Sequence, residues 1–138
     1  MRELKTISVT GNHDIACVTG DVSGFNLYAK EAMDWTRKVI KDKNIEFLCN
    51  LKRKIKIKID NLNIMVVHGS PRDPLSEYIF PSTPDSTLKS FLESENVDIL
   101  IMGHTHIPFI KKFGNKLVFN REVLVRREMV TVERHLLF

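Results

Sequence analysis

Four of the five histidines in this 138-residue chain fall in three short clusters: Gly11-Asn12-His13-Asp14, His68-Gly69 and Gly103-His104-Thr105-His106. Neutral imidazole nitrogens together with amide or carboxylate oxygens bind divalent first-row ions. These residue types therefore point to a metal site of the Mn, Zn, Fe or Ni class without selecting one metal. A lone histidine is ordinarily a loop residue with no chemical task. Three clusters, each preceded by an apolar run, argue for a shared site.

The runs that must position them are Ile7 to Val9, Ile64 to Val67 and Ile99 to Met102. Short β-branched runs closed by glycine or a turn residue read as buried strands of parallel type. Open α/β sheets gather ligands beyond the carboxyl ends of such strands. Extended backbone alternates its side chains, so His104 and His106 are expected to project to one side and Thr105 to the other. Gly11, Gly69 and Gly103 suit the close approach or unusual dihedrals of a tight strand-to-loop turn.

The remaining pattern is also α/β. An amphipathic helix is predicted over about Phe25 to Ile40. Lys54 to Ile59 and Leu62 to Val67 read as a hairpin closed by Asp60-Asn61, and Phe109 to Phe119 as a second hairpin closed by Gly114-Asn115. Asp85 or Ser86 is the expected cap of a helix running through Leu88 and Leu92, because its side-chain oxygen can accept unpaired first-turn N–H groups. Val130 to Val132 is a further candidate strand.

A hydrophobic content of 43% is enough for one substantial core, while 28% charged residues favour solubility. No apolar stretch approaches the length of a membrane span and no signal-peptide pattern opens the chain, so the expected location is the cytoplasm. Cys17 and Cys49 are expected to be reduced and buried. The formal charge of +4 favours phosphate-bearing substrates but is modest. Its densest stretch, Lys52 to Lys58, alternates lysines with Ile55, Ile57 and Ile59. This reads as a solvated face or guarded edge rather than a nucleic-acid groove, since no aromatic stacking residues are interleaved.

The order Gly-Asn-His-Asp, His-Gly and Gly-His-x-His resembles that of calcineurin-like metallophosphoesterases, in the group of archaeal and bacterial predicted phosphoesterases. Phe25-Asn26, Ala29, Ala32 and Trp35-Thr36 resemble the helix after the first motif in one branch. His68-Gly69-Ser70-Pro71, Asp73-Pro74 and Glu77-Tyr78 resemble its next loop. The likeness covers residues 1–120, and 121–138 form a divergent tail, expected to belong to the same domain. The fold implied is α/β, a two-sheet sandwich flanked by helices, without the family's N-terminal strands.

The resemblance implies that Asn12, His68 and His104 bind one divalent ion and His106 another, with the two ions about 3.5 to 4 Å apart. It implies that His13 faces the phosphoryl group, helping to stabilise charge or protonate the leaving oxygen, with Asp14 orienting its ring. A carboxylate bonded to one imidazole nitrogen fixes the tautomer and raises the basicity of the other.

Two family motifs, Asp-x-His and Gly-Asp, do not precede Gly11, and Gly20-Asp21 comes too late in the order to be the second. Met1-Arg2-Glu3-Leu4 resembles the end of a helix well inside the family's chain. At Asn120-Arg121-Glu122-Val123, relatives commonly continue as Asn-Pro-Gly-Ser. From both ends, the expectation is a longer reading frame that has been mis-started, split or shifted. The implied activity is hydrolysis of phosphomonoesters or phosphodiesters, impaired in this chain alone. The alternative is a non-catalytic metal-binding or scaffold module, as in the retromer subunit of this fold. Either reading anticipates a homo-oligomer or a partner that completes the fold.

Overall fold

The computed structural model describes residues 7–120. The expected strand at Val130 to Val132 and the divergent tail lie outside the described residues. The chain runs α1 (Asn12–Thr19), α2 (Leu27–Val39), α3 (Asp42–Cys49), β1 (Lys54–Ile59), β2 (Leu62–Val67), α4 (Asp85–Ser94), β3 (Ile99–Met102), β4 (Phe109–Phe113) and β5 (Lys116–Asn120). The strands form one mixed sheet in the order β1-β2-β3-β5-β4. Among the described residues this is the sheet of the α/β fold, where the resemblance implied two.

Both expected hairpins form. Ile59 pairs with Leu62 across Asp60-Asn61, and Phe113 with Lys116 across Gly114-Asn115. Asp60 and Gly114 take φ values of 50° and 61°, the left-handed conformation that a tight turn needs and that Asp and Gly tolerate. Between the hairpins, β3 pairs in parallel with β2 on one side and β5 on the other.

The first predicted strand does not form. Of Ile7 to Val9 only Val9 makes a β contact, an isolated parallel bridge to Lys52, and Thr10 N donates to Lys52 O at 2.9 Å. The chain then turns directly into α1, so Gly11-Asn12-His13-Asp14 is a helix start rather than a strand-end loop. Two features mark the ends of this helix: an acidic residue at its third position and a glycine just after its end. Asp14 Oδ2 accepts from Gly11 N at 2.8 Å, and Gly20 takes φ 81° while its N–H bonds to Ala16 O. Arg37 of α2 donates to the Ala16 and Cys17 carbonyls, placing a cation at the α1 C-terminus, where the helix dipole favours it. α2 itself starts at Asn26, whose side chain accepts from Ala29 N.

The expected cap of α4 is also different. Pro84 holds the cap position and its carbonyl receives Thr87 N and Leu88 N, while the Asp85 carboxylate pairs with Lys111 Nζ at 2.8 Å. α4 buries Leu88, Phe91 and Leu92, an i, i+3, i+4 stripe, against the sheet face carrying Met65, Val67, Leu100, Met102 and Val118. A second, smaller core joins Ala16 and Cys17 of α1 to Met33 of α2. Cys49, expected to be buried, is exposed; both cysteines are free thiols.

The β1 lysines lie on the α4 side of the sheet. Lys54 and Lys56 pair with the Glu95 carboxylate at 3.2 and 2.8 Å, and Lys56 also reaches Glu95 O just past the end of α4. The isoleucines of β1 share the opposite face, where Ile59, Leu62 and Ile110 remain exposed. No helix among the described residues is long and apolar enough to cross a membrane.

Truncating the fully buried Leu100 to alanine should cost about 2–5 kcal/mol in chemical denaturation, whereas Glu95→Gln should cost under about 1 kcal/mol. The hydrogen bond from Lys56, followed by the Lys54 bond and both ammonium charges, outweighs burial and holds the Glu95 carboxyl below its ordinary 4.5. A depressed carboxyl stabilises the fold above the unfolded value and loses that contribution as pH falls through the folded value. The stability difference between wild type and Glu95→Gln should therefore shrink below pH 4.5, as read from denaturation midpoints across pH 3 to 6.

Candidate metal centre

Parallel pairing brings the carboxyl ends of β2 and β3 to one edge of the sheet. Val66 lies opposite Ile101, and the ladder continues one step beyond both strands, where Gly103 N donates to His68 O at 2.9 Å. His68 and His104 are thereby placed in adjacent loops. The third segment arrives from the helical side. Lys52 precedes β1, whose Lys54 pairs with Val67, and the Val9 bridge to Lys52 delivers Gly11 and Asn12 to the same edge.

Three side chains meet there. His68 Nε2 is 2.9 Å from Asn12 Oδ1 and 3.0 Å from His104 Nδ1. A single imidazole nitrogen carries at most one hydrogen, so it cannot donate fully to both neighbours. The convergence is better described as three donor atoms aimed at one region. With metal–ligand bonds of about 2.0–2.2 Å, donors around one ion sit roughly 3 Å apart, so this set fits one divalent ion. Among the described residues no three His, Cys, Asp or Glu side chains form such a group, so no carboxylate joins the two imidazoles.

The electrostatics keep the imidazoles neutral. Burial, followed by the nearby His104, His106 and His13 rings, pushes His68 down to about 4. Burial likewise lowers His104; His106 and His13 add to this, while the Ser76 backbone and Asp73 oppose it. At neutral pH both rings therefore present lone pairs. His104 Nε2 is buried without a geometrically defined hydrogen-bond partner among the described residues, and the Ser76 backbone acts on the ring.

Gly11 is required here for space rather than for its dihedrals. Its φ of −108° and ψ of 176° are ordinary extended values, but a Cβ would lie 3.0 Å from both Cε1 and Nδ1 of His68. Gly69 is tighter still. A Cβ there would meet Asp73 O at 2.6 Å, because the chain folds back at once with Gly69 N bonded to Pro74 O and Ser70 N to Asp73 O. Buried Ser70 bonds Glu77, which also takes the Arg72 guanidinium, and this brace carries the chain to Tyr78. The Tyr78 ring stacks on His104 with centroids 3.9 Å apart.

His106 and His13 are less constrained. The expected alternation of His104 and His106 rests on extended backbone, which this loop does not have. Both residues take left-handed φ values, 69° and 57°, because Thr105 folds the chain into a tight turn in which its N–H donates to Gly103 O and its Oγ1 accepts from Ile107 N. His106 is exposed, close enough to act on His68 and His104 but not drawn into their contacts. His13 is exposed and rests on Phe25, with ring centroids 4.5 Å apart. Asp14, expected to orient His13, instead turns one carboxylate oxygen back to Gly11 N, since it occupies the third position of a helix. Sequence reasoning did not assign site roles to Tyr78, Thr105 or Asn120. The turn-forming Asp73-Pro74 was the available signal for the braced loop.

Residues 1–122 match the calcineurin-like phosphoesterase superfamily domain, and the chain belongs to that family. It is similar to an uncharacterised protein of Methanocaldococcus jannaschii, 33% identical over 126 residues that cover 89% of this chain and 49% of that protein. It is also similar to a probable metallophosphoesterase of the same organism, 33% identical over 113 residues covering 79% and 52%. The chain thus spans about half the length of these curated relatives. Among solved structures, a metallophosphoesterase from Sphaerobacter thermophilus superposes with a TM-score of 0.63 at 26% identity, covering 83% of this chain and 53% of that one. A hypothetical protein from Pyrococcus horikoshii shares the fold, with a TM-score of 0.71 at 18% identity over 83% and 50%.

Gly11→Ala should leave the backbone dihedrals permissible yet push the His68 ring out of register with Asn12 and His104. The expected result is a change in the imidazole nitrogen shifts of His68 by NMR in a folded protein. Unchanged shifts would mean that the ring yields freely and that its placement does not depend on the glycine.

Proposed function

We propose that this chain is a metal-dependent phosphoesterase in which Asn12, His68 and His104 hold one divalent ion of the Mn, Zn, Fe or Ni class. The observation that supports this best is the approach of Asn12 Oδ1 and His104 Nδ1 to within 3.0 Å of His68 Nε2, in a chain of the calcineurin-like superfamily. When bound, the ion supplies positive charge that offsets a phosphoryl oxygen and acidifies water.

The chain's own residues supply the rest. His68 and His104, neutral through burial, bind without first having to lose a proton. Tyr78 packs against the His104 ring and limits its rotation. His13 is exposed at the first residues of α1 and can hold a proton at an imidazole nitrogen for the leaving oxygen of a phosphate ester. His106 lies beside this group as a donor to a second, weaker ion. Hydrolysis is impaired, because two imidazoles and one amide without a carboxylate hold an ion less firmly than the family's fuller donor set.

The test is metal analysis of the dialysed chain together with hydrolysis of a generic phosphodiester. The expected outcome is about one equivalent of metal or less, lost in His68→Ala, and turnover well below about 1 per second. Two firmly held ions, with turnover at that level abolished by His13→Ala, would overturn the impaired-site reading. No metal and no turnover would favour the scaffold alternative.

A further inference from the structure

The turn that carries His104 and His106 is built from two left-handed residues on either side of Thr105. Such conformations are strained for non-glycine residues and persist only where surrounding contacts fix them. The contacts converge on one side chain at the end of β5. Asn120 is 2% exposed; its Oδ1 accepts from Thr105 Oγ1 at 3.4 Å and its Nδ2 donates to Ile79 O at 3.0 Å.

These two bonds join separate parts of the site. Thr105 lies between the two histidines, and its hydroxyl also receives Ile107 N at 3.3 Å, closing the turn. Ile79 is buried in the main core and directly follows Tyr78, the residue stacked on His104. One buried carboxamide thus fixes the histidine turn against the loop that supplies the ring packing on His104. Because β5 is hydrogen-bonded to β3 with Met102 opposite Asn120, the carboxamide is tied to the strand from which the turn emerges.

We propose that Asn120 is a positioning residue for His104: it acts through Thr105 and Ile79 and touches neither ion nor substrate. The ion-binding arm of the test rests on the metal reading above; the imidazole arm does not. Buried amides that fail to find partners are costly, so a burial this complete implies that both of its hydrogen bonds are needed.

The experiment records imidazole nitrogen shifts of the metal-free chain by long-range NMR correlation, then titrates it with Co²⁺ alone and follows visible absorption. Asn120→Ala and Thr105→Val should both move the His104 signals and weaken Co²⁺ binding about tenfold or more, the usual consequence of losing a supporting partner. Thr105→Ser, which keeps the hydroxyl, should match wild type in both readouts. Leu88→Ala, a core truncation on α4, should lower thermal stability while leaving the His104 signals in place, which separates positioning from general loosening. If Asn120→Ala does not fold, the Thr105 pair carries the test. Wild-type His104 shifts in the folded Asn120 and Thr105→Val variants would overturn the proposal. Absence of Co²⁺ binding by wild type would count against the metal reading alone, with the imidazole shifts still deciding the role of Asn120.

Discussion

The parallel pairing of β2 with β3 is the constraint on which the site depends. Two strands that run the same way end at the same edge, and the bond from Gly103 N to His68 O carries the register one residue beyond the sheet. From that single bond follow the adjacency of His68 and His104, the burial that keeps both neutral, and the need for glycine at position 11, where α1 starts against the His68 ring. Antiparallel strands would have sent one of the two histidines to the opposite edge, whatever the local sequence.

This constraint was legible because parallel strands write themselves as continuous apolar runs, and Ile64 to Val67 and Ile99 to Met102 are such runs bounded by His68 and Gly103. The hairpins were legible for a similar reason, with alternation on β1 and Asp60-Asn61 or Gly114-Asn115 at the turns. Ile7 to Val9 looked the same yet makes only a bridge to Lys52, since a three-residue run with two β-branched side chains specifies a strand only if a full partner lies beside it. α1 was missed because His13 and Asp14 drew a chemical reading, while Asp14 also fits the capping position that it occupies. The histidine turn escaped because its shape depends on the bond from Thr105 to the distant Asn120, and no window around His104 and His106 contains that partner.

Concentrating four histidines at one edge has an electrostatic consequence of its own. Burial first, and then the neighbouring rings, disfavour a proton on His68 and His104. His68 and His104 are thus neutral at physiological pH, which makes these two rings lone-pair donors and poor anion sites. Three of the lysines are committed elsewhere, Lys54 and Lys56 to Glu95 and Lys111 to Asp85.

The three converging donors also come from two different cores. His68 and His104 leave strands packed against α4, whereas Asn12 begins a helix that packs on α2 through Ala16, Cys17 and Met33. The helical layer reaches the sheet through a short seam: the Val9 bridge to Lys52, the bond from buried Thr10 to Lys52 O, and the contact of Gly11 and Asn12 with His68. An ion held by Asn12 together with the two histidines would cross-link these cores at that seam. Binding energy would then appear partly as tighter docking of α1 against the sheet, because any ligand that engages only the docked arrangement stabilises it by mass action. By the same linkage, a change that loosens the seam would weaken ion binding even when every donor atom is retained. With an ion held this way, forming the site and docking the helical layer would be one equilibrium.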